Sequence, residues 1–332
     1  MRAIVVEQWG PPEALRLGEA PVPVPGPSEV LVQVHAAPVN YVDMLVVAGT
    51  YQFVPTLPFI PGKSPTGTVS AVGAGVTSLT VGDRVLATAE YGGYGEVVAL
   101  DAEQCHRLPD GLSFAEAAAM GVVYDTSWVA LRSRARLQRG ETVLVLGATG
   151  GVGHASVQLA RAMGARVLAG VSRPERAAAA QAAGADAIID LSGDNLRDAL
   201  RDQVYAETEG RGADVVIDPL GGHIFEAAVR AIAWCGRLVV IGFAAGAIPA
   251  LRTNYLLLKN IEVSGLQITD YRKRLPAELK TAYAEIFGYH ALGRLRPAPV
   301  APFALQDAGK ALAAMRDRQV LGRAVLRLRD GE

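Results

Sequence analysis

The first 110 residues, rich in Pro and Gly, carry short Val-rich runs in which apolar and polar positions alternate: "EVLVQVHA", "GTVSAV", "DRVLATA" and "GEVVAL". Turn signals such as "VGAG" and "VGDR" separate them, and that spacing predicts an all-β, partly closed barrel. At Ser113 the pattern changes to an Ala-rich helix, "SFAEAAAMGVV", read as a connector between two bodies. From Glu141 to about Gln267 apolar strands alternate with helical stretches: "TVLVLG", "ARVLAGV", "DAIIDL", "DVVIDP", "RLVVIGF" and "IEVSGLQI". Nearly continuous apolar strands separated by helices imply a parallel sheet covered on both faces. Six strands in two halves match the doubly wound dinucleotide fold. After Leu275 the chain returns to helix and then to "AVLRL", which is expected to close back onto the first body. The fold class is therefore α/β: a β-barrel domain over residues 1–120 with a return at about 296–332, and a doubly wound domain over 121–295.

With 332 residues, half of them hydrophobic, the chain is long enough for two cores. A formal net charge of -1 without any block of like charge excludes a nucleic-acid or membrane-surface partner, since both require clustered Lys and Arg. The first residues are too soon polar for a signal peptide and no run of 18 apolar residues occurs, so a soluble cytoplasmic protein is expected. The two cysteines, Cys105 and Cys235, are far apart and lack C-x-x-C spacing, which leaves two packed thiols rather than a disulfide or a thiolate zinc site.

The most informative stretch is "ETVLVLGATGGVGHASVQLARAMGARVLAGVSRPER", residues 141–176. A G-x-G-x-x-G frame falls on Ala148, Gly150 and Gly153, between a strand and a helix, the arrangement that sets a pyrophosphate on backbone N–H groups. Thr149, Gly150, Gly151 and Val152 are the candidates to bind it. At the end of the next strand an acid would accept from the ribose 2′-hydroxyl of NADH. Ser172 stands there instead, followed by Arg173 and Arg176, whose guanidinium groups suit a 2′-phosphate. Ser172 and Glu175 also have capping-box spacing, compatible with a phosphate site. NADPH is the expected cofactor.

Together "AAPVNYVDMLVVAGTY", "VGAGVTSLTVGDRV", "GATGGVGHASVQLARAMGA" and "LGRAVL" resemble the medium-chain dehydrogenase/reductase superfamily, specifically its zinc-free quinone oxidoreductase and zeta-crystallin branch. The resemblance implies a GroES-like barrel joined to a Rossmann domain, with the nicotinamide in the cleft between them. It aligns the zinc ligands of metal-containing relatives with Asn40, Lys63 and about Val122. None of these suits a tetrahedral zinc site, so no metal is expected. Relatives usually read Gly-x-Glu where this chain has "PGKSPTG", with Ser64 in the acid's place, and often carry Tyr where Leu191 stands.

Without a metal to lower an alcohol's pKa, the expected reaction is hydride transfer to a quinone or an α,β-unsaturated ketone, whose developing oxyanion needs a hydrogen-bond donor. The resemblance places Asn40 and Tyr51 at the cleft as catalytic donors. It also places Asn40, Thr126, Ile241, Gly242, Phe243 and Arg323 at the cofactor. Tyr51 also reads as a packing aromatic, Asn40 as a turn former and Arg323 as a surface residue. Tyr41, Leu45, Phe53, Tyr124 and Phe243 are candidates for an apolar wall around a flat acceptor. Asp125 reads either as the N-cap of "TSWVALRS" or as a charge beside the cofactor, the cap being preferred. "IEVSGLQI" is expected to be an edge strand covered by its twin in a homodimer. The alternative to an enzyme is an NADPH-binding protein with a structural or regulatory role.

Overall fold

The computed structural model describes residues 1–193 and 195–329. Two compact units result, one made of Met1–Val122, Arg272–Tyr283 and Pro297–Glu332, the other of Val123–Tyr271 and Ala284–Arg296. Residues 330–332 of the expected C-terminal return lie outside the described residues.

The chain begins with β1 (Arg2–Ile4) and β2 (Leu17–Glu19), an antiparallel pair, and then enters the long β3 (Glu29–Pro38). Helix α1 (Tyr41–Val47) follows, then β4 (Thr66–Val72), β5 (Arg84–Ala87), β6 (Val97–Asp101) and β7 (Cys105–Arg107). In β3 the side chains of Val30, Val32, Val34 and Ala36 are buried and the intervening ones are not, the period of two that the sequence pattern implied. β4 lies along one edge of β3, while β6 takes the first half of the other edge. Two register shifts against β4, at Leu31/Val32 and Val34/Ala36, bend the strand so that the sheet curls. Helix α2 (Phe114–Val129) starts at a capping box in which Ser113 and Glu116 bond each other's backbone N–H groups, at 3.2 and 3.3 Å.

The second unit alternates β8 (Thr142–Leu146), α3 (Gly151–Ala162), β9 (Arg166–Val171), α4 (Ala177–Ala182), β10 (Ala187–Asp190), α5 (Leu196–Glu207), β11 (Ala213–Asp218), α6 (Gly222–Ala231), β12 (Ile232–Val240), α7 (Asn254–Lys259) and β13 (Glu262–Gly265). All the pairings are parallel, in the order β10-β9-β8-β11-β12-β13. That is the doubly wound order with its reversal between β8 and β11, the place where such sheets bind ligands. Every residue of β8 is buried. β13 is the sheet's outer strand. Helices α8 (Ile268–Arg274) and α9 (Pro276–Ala291) follow, then β14 (Val300–Ala304), α10 (Ala308–Arg316) and β15 (Arg323–Arg327). β15 pairs antiparallel with the end of β3, and β14 lies beside β15.

Both cysteines are free thiols. Cys105 is packed, and burial pushes its thiol up to about 12, whereas Cys235, expected to be packed, is exposed on a residue with φ of 60°. Among the described residues no helix is long and apolar enough to cross a membrane.

Candidate active site

In the second unit the glycine turn follows β8 directly. Gly147, not Ala148, makes the tight turn: its φ is 61°, a left-handed value that Ala148 in the expected frame would resist. Gly153 faces it so closely that a Cβ there would lie 2.1 Å from the Gly147 carbonyl oxygen. Gly150 is the N-cap and Gly151 begins the helix, so Thr149 to Val152 are the turn and the first residues of α3. The first N–H groups of a helix have no partner within it, which makes this backbone a ready anion site.

Three neighbouring segments brace the turn. Leu220, in the segment after β11, has side-chain atoms 3.0 Å from where a Cβ on Gly147 would stand. The Asp218 carboxylate, fully buried, accepts from the N–H groups of Leu220 (2.8 Å) and Gly221 (2.9 Å), and its burial raises its pKa. Ile241 N–H donates to the Asp218 carbonyl at 2.8 Å, and Phe243 packs where a Cβ on Gly221 would clash. Ile241, Gly242 and Phe243 are thereby tied to the segment that touches the glycine turn. From α2, Ser127 Oγ donates to the Val152 carbonyl at 3.0 Å, which fixes the neighbouring Thr126 relative to the first turn of α3.

Asp125 is not an N-cap. The break in α2 falls at Gly121 (φ 5°, ψ -128°), and the helix has resumed before Asp125, whose buried carboxylate accepts from the N–H of Thr126 at 2.6 Å. The Ser172 cap does not form either. Pro174 starts a short 3-10 turn with Arg173 as its N-cap, which leaves Ser172 one residue too early. Ser172 is exposed at the end of β9, and Arg173 and Arg176 are half-buried beside it. Leu191, buried, packs against Gly170 of β9.

In the first unit a polar cluster is built around the N-terminus of α1. Asn40 is its N-cap and is 3% exposed. Its Oδ1 accepts from Arg323 at 2.6 Å, and its Nδ2 donates to Asp43 Oδ2 at 3.1 Å. The same Asp43 oxygen accepts from the Asn40 backbone N–H (2.9 Å) and the Tyr94 hydroxyl (3.1 Å). Burial raises the Asp43 pKa to about 6, opposed by the charge of Lys63 and by these hydrogen bonds. Arg323 is half-buried and holds the Asn40 amide in one orientation.

A second cluster adjoins the first. Lys63, 2% exposed, forms an ion pair with Glu90, whose other oxygen accepts from Arg272 at 3.0 Å. Arg272 also donates to Ser64 Oγ at 3.0 Å. Ser64 is fully buried with φ of 52°, a conformation that costs a non-glycine residue about 1 kcal/mol or more and is held here by Arg272 and by its own N–H to the Ala89 carbonyl. The Lys63 ammonium lies 5.1 Å from the ring centre of Tyr91 and 5.7 Å from that of Tyr51. Tyr51 and Phe53 meet edge to face at 6.3 Å, and Lys273 stands 5.4 Å from the Phe53 ring. Glu90 and Arg272 have no motif to announce them, because Glu90 reaches Lys63 from 27 residues away and Arg272 reaches Glu90 across 182.

The expected apolar wall divides. Tyr41 is exposed, Leu45, Phe53 and Phe243 are half-buried, and Tyr124 is 1% exposed and belongs to the core of the second unit. Among the described residues no three His, Cys, Asp or Glu side chains gather where they could hold a metal ion.

Residues 26–110 match the family model of the alcohol dehydrogenase GroES-like domain, and residues 151–285 that of the zinc-binding dehydrogenases. A quinone oxidoreductase-like protein 2 homolog from Nematostella vectensis is 38% identical over 304 residues, 91% of this chain and 82% of the relative. The chain belongs to the quinone oxidoreductase family of the medium-chain dehydrogenases/reductases. Among solved structures, a quinone oxidoreductase from Pseudomonas syringae pv. tomato superposes with a TM-score of 0.90 at 32% identity, covering 98% of this chain and 99% of that one. An Escherichia coli quinone oxidoreductase solved as a complex with NADPH gives 0.89 at 28% identity over 99% and 100%. The expected fold class, a GroES-like barrel with a Rossmann domain, is that of this quinone oxidoreductase family. The donor set at positions 40, 63 and 122 does not fit the zinc that one family model names. The Asn40 oxygen is taken by Arg323, Lys63 is a cation paired with Glu90, and a valine side chain has no donor atom.

Proposed function

We propose that this protein is an NADPH-dependent, zinc-independent oxidoreductase that reduces a quinone or an α,β-unsaturated carbonyl compound. One observation carries the reading: the chain pairs a phosphate-ready glycine turn, with Ser172, Arg173 and Arg176 at the end of the adjoining strand, with a buried polar cluster that has hydrogen-bond donors but no donor set for a metal. The NADPH-bound relative from Escherichia coli supports the cofactor. The backbone N–H groups of Thr149, Gly150, Gly151 and Val152 would hold the cofactor's pyrophosphate, Ser172, Arg173 and Arg176 would hold its 2′-phosphate, and Thr126, Ile241, Gly242 and Phe243 are proposed as further cofactor-binding residues. When bound, NADPH supplies the hydride.

The chain's own residues handle the charge that hydride transfer leaves on the acceptor oxygen. Tyr51 offers a hydroxyl. Asn40 Nδ2 donates to Asp43 at 3.1 Å and, in a longer bond of 3.5 Å, to the Pro38 carbonyl, while its oxygen accepts from Arg323; an acceptor oxygen would take the hydrogen now in the long bond to Pro38. Asn40, Asp43 and Arg323 form a positioning chain that fixes the Asn40 amide. Two further features complete the proposal. The outer strand β13 has one edge unpaired among the described residues, and the helix α7 just before it exposes Leu257 and Leu258, 79% and 69% exposed; an edge to pair and an apolar surface to cover both suit a homodimer. The two free thiols suit the reducing cytoplasm.

The test is steady-state NADPH oxidation against 1,4-benzoquinone, 9,10-phenanthrenequinone and a simple enone. Turnover with at least one is expected. Tight NADPH binding with no turnover of any acceptor would assign the protein a non-catalytic role.

A further inference from the structure

Between α1 and β4 the chain carries Tyr51 and Phe53, and it is tied down unevenly. Up to Thr50 it is fixed at the helix end, with the Thr50 N–H on the Leu45 carbonyl at 3.0 Å. From Phe59 it is fixed again, by a two-way backbone pairing with Val6 at 2.8 and 3.1 Å. From Gln52 to Pro58 half-buried residues, Phe53, Pro55 and Leu57, alternate with exposed ones. Among the described residues a single hydrogen bond holds this span: the Tyr91 hydroxyl donates to the Phe53 carbonyl at 2.9 Å. Tyr51 and Leu57 pack on the core of the unit. Phe53, between them, takes its ring contacts from Tyr51 at 6.3 Å and from the Lys273 ammonium at 5.4 Å. Tyr91 is the firm end of the link. Its ring packs on the same core, meets Phe59 edge to face at 6.0 Å and lies 5.1 Å from the Lys63 ammonium, while the next residue, Gly92, donates to the Ile60 carbonyl at 2.8 Å. Burial pushes the Tyr91 pKa up to about 12, so its hydroxyl stays a donor at neutral pH. The packing needs only the ring; the hydroxyl is spent on Phe53.

We propose that Tyr91 is a positioning residue that sets the size of the acceptor. By pinning the Phe53 carbonyl it fixes the Tyr51–Phe53 pair as one wall of a slot that prefers small one-ring quinones and enones to three-ring acceptors. The inference rests on the oxidoreductase reading given above and deepens it. In this role Tyr91 touches neither acceptor nor cofactor. With its bond in place the Phe53 ring stays against Tyr51, and a small flat ligand meets a wall that needs no ordering when it binds. Without the bond the span from Gln52 to Pro58 is held by apolar contacts alone. Phe53 is then free to turn away from Tyr51, the slot widens, and the small acceptor loses contact area that a larger one keeps.

The test uses Tyr91→Phe, which keeps the ring and removes only the hydroxyl. Steady-state NADPH oxidation gives kcat and KM with 1,4-benzoquinone and with 9,10-phenanthrenequinone. One ordinary hydrogen bond shifts an equilibrium by about fivefold. The ratio of kcat/KM for the two quinones should therefore move by about fivefold toward the larger one, through KM, with kcat and the NADPH dissociation constant nearly unchanged. Phe53→Ala, which removes the pinned ring itself, should move the ratio the same way. A second measurement needs no turnover: thermolysin, which cuts before large apolar residues, should cleave at Phe53 or Val54 about fivefold faster in Tyr91→Phe than in the unaltered protein. An unchanged acceptor ratio overturns the proposal, and so does an equal loss with both quinones, the mark of a merely structural residue. Equal cleavage in the two proteins overturns the latch. If neither protein reduces any acceptor, the oxidoreductase reading fails and takes the size selection with it, while faster cleavage in Tyr91→Phe leaves the latch standing.

Discussion

The glycine turn of the second unit and the polar cluster of the first are built in opposite ways. The turn is made of backbone: its work is done by N–H groups, by the φ of Gly147 and by the missing side chain of Gly153. Its parts are neighbours in sequence. The cluster is made of side chains drawn from distant segments, with Asn40 and Arg323 separated by 283 residues and Glu90 and Arg272 by 182. A backbone site tolerates changes in many side chains but no change in shape. A side-chain site keeps its shape through the barrel and is sensitive to single charges.

The sharpest way to break the contrast is at the one place where the backbone site depends on side chains. Replacing Arg173 and Arg176 together by alanine should cost NADPH about 3 kcal/mol or more of binding, at roughly 1.5 to 3 kcal/mol per charged hydrogen bond, and should leave NADH nearly unaffected. Equilibrium binding of both cofactors measures it. Equal affinities for NADPH and NADH in the unaltered protein would show that the end of β9 does not read the 2′-phosphate.

The backbone part is tested by one carbon atom. In Gly153→Ala the new Cβ would lie 2.1 Å from the Gly147 carbonyl, so the turn must move, with a loss of about 3 kcal/mol in stability by denaturant titration and weaker cofactor binding. Gly150→Ala is the control, since its Cβ would meet the same oxygen at 3.4 Å and φ there is -81°. Comparable losses in the two variants would mean that the turn is not set by this approach.

These two regions also mark what was legible in the sequence. Strand periodicity and the strand–turn–helix pattern reveal the fold because they are local: the alternation in β3 and the six apolar strands are written in consecutive residues. Gly150 and Gly153 stand as the frame implied, but spacing alone does not tell which residue takes the left-handed φ, and that residue is Gly147, just before the motif's first position. The Asp125 cap was misplaced for a related reason. Gly121 interrupts α2 four residues earlier, and nothing in its neighbours distinguishes a break from a helical glycine. Lys63 was visible only as a residue that cannot bind zinc. Its partners, like the contact of Arg323 with Asn40, depend on strand pairing and packing in the first unit that bring together segments with no sequence relation.

A smaller effect sharpens the electrostatic side. Asp43 has its native pKa raised from 3.8 to about 6, so between those values the native state holds the extra proton and stability falls as pH rises, by about 1.4 kcal/mol per pH unit. His106, stacked at 4.2 Å on Tyr283, is lowered by burial and by nearby Arg272 and Lys280 from 6.5 to about 3. There the unfolded state holds the extra proton, and stability rises with pH over the same interval. The two slopes cancel between about pH 4 and 6. Asp43→Asn should therefore gain stability relative to the unaltered protein as pH rises through that window, and His106→Phe should lose it, as followed by denaturant titration at several pH values. Parallel profiles in all three proteins would show that neither group titrates as its burial implies.

The smallest expected effect bears on the acceptor. If Tyr51 and Asn40 both donate to its oxygen, removing one leaves the other. Loss of an oxyanion donor costs on the order of 3 kcal/mol when it is the main one and much less when a second remains. Tyr51→Phe alone should then slow an enone by roughly tenfold, about 1.4 kcal/mol, and a quinone by less, because a quinone's own redox potential already drives hydride uptake. Asn40→Ala removes a cap and a partner of Arg323 as well as a donor, so its loss in turnover is read only after thermal unfolding and NADPH binding show that the fold persists. The double variant should lose more than either single one, because no donor remains. The comparison uses kcat and KM for the unaltered protein and the three variants, with an enone and with 1,4-benzoquinone. Unchanged rates in the double variant would leave orientation of the acceptor as the first unit's only contribution. A loss confined to KM would mean that the two side chains hold the acceptor and do not share its developing charge.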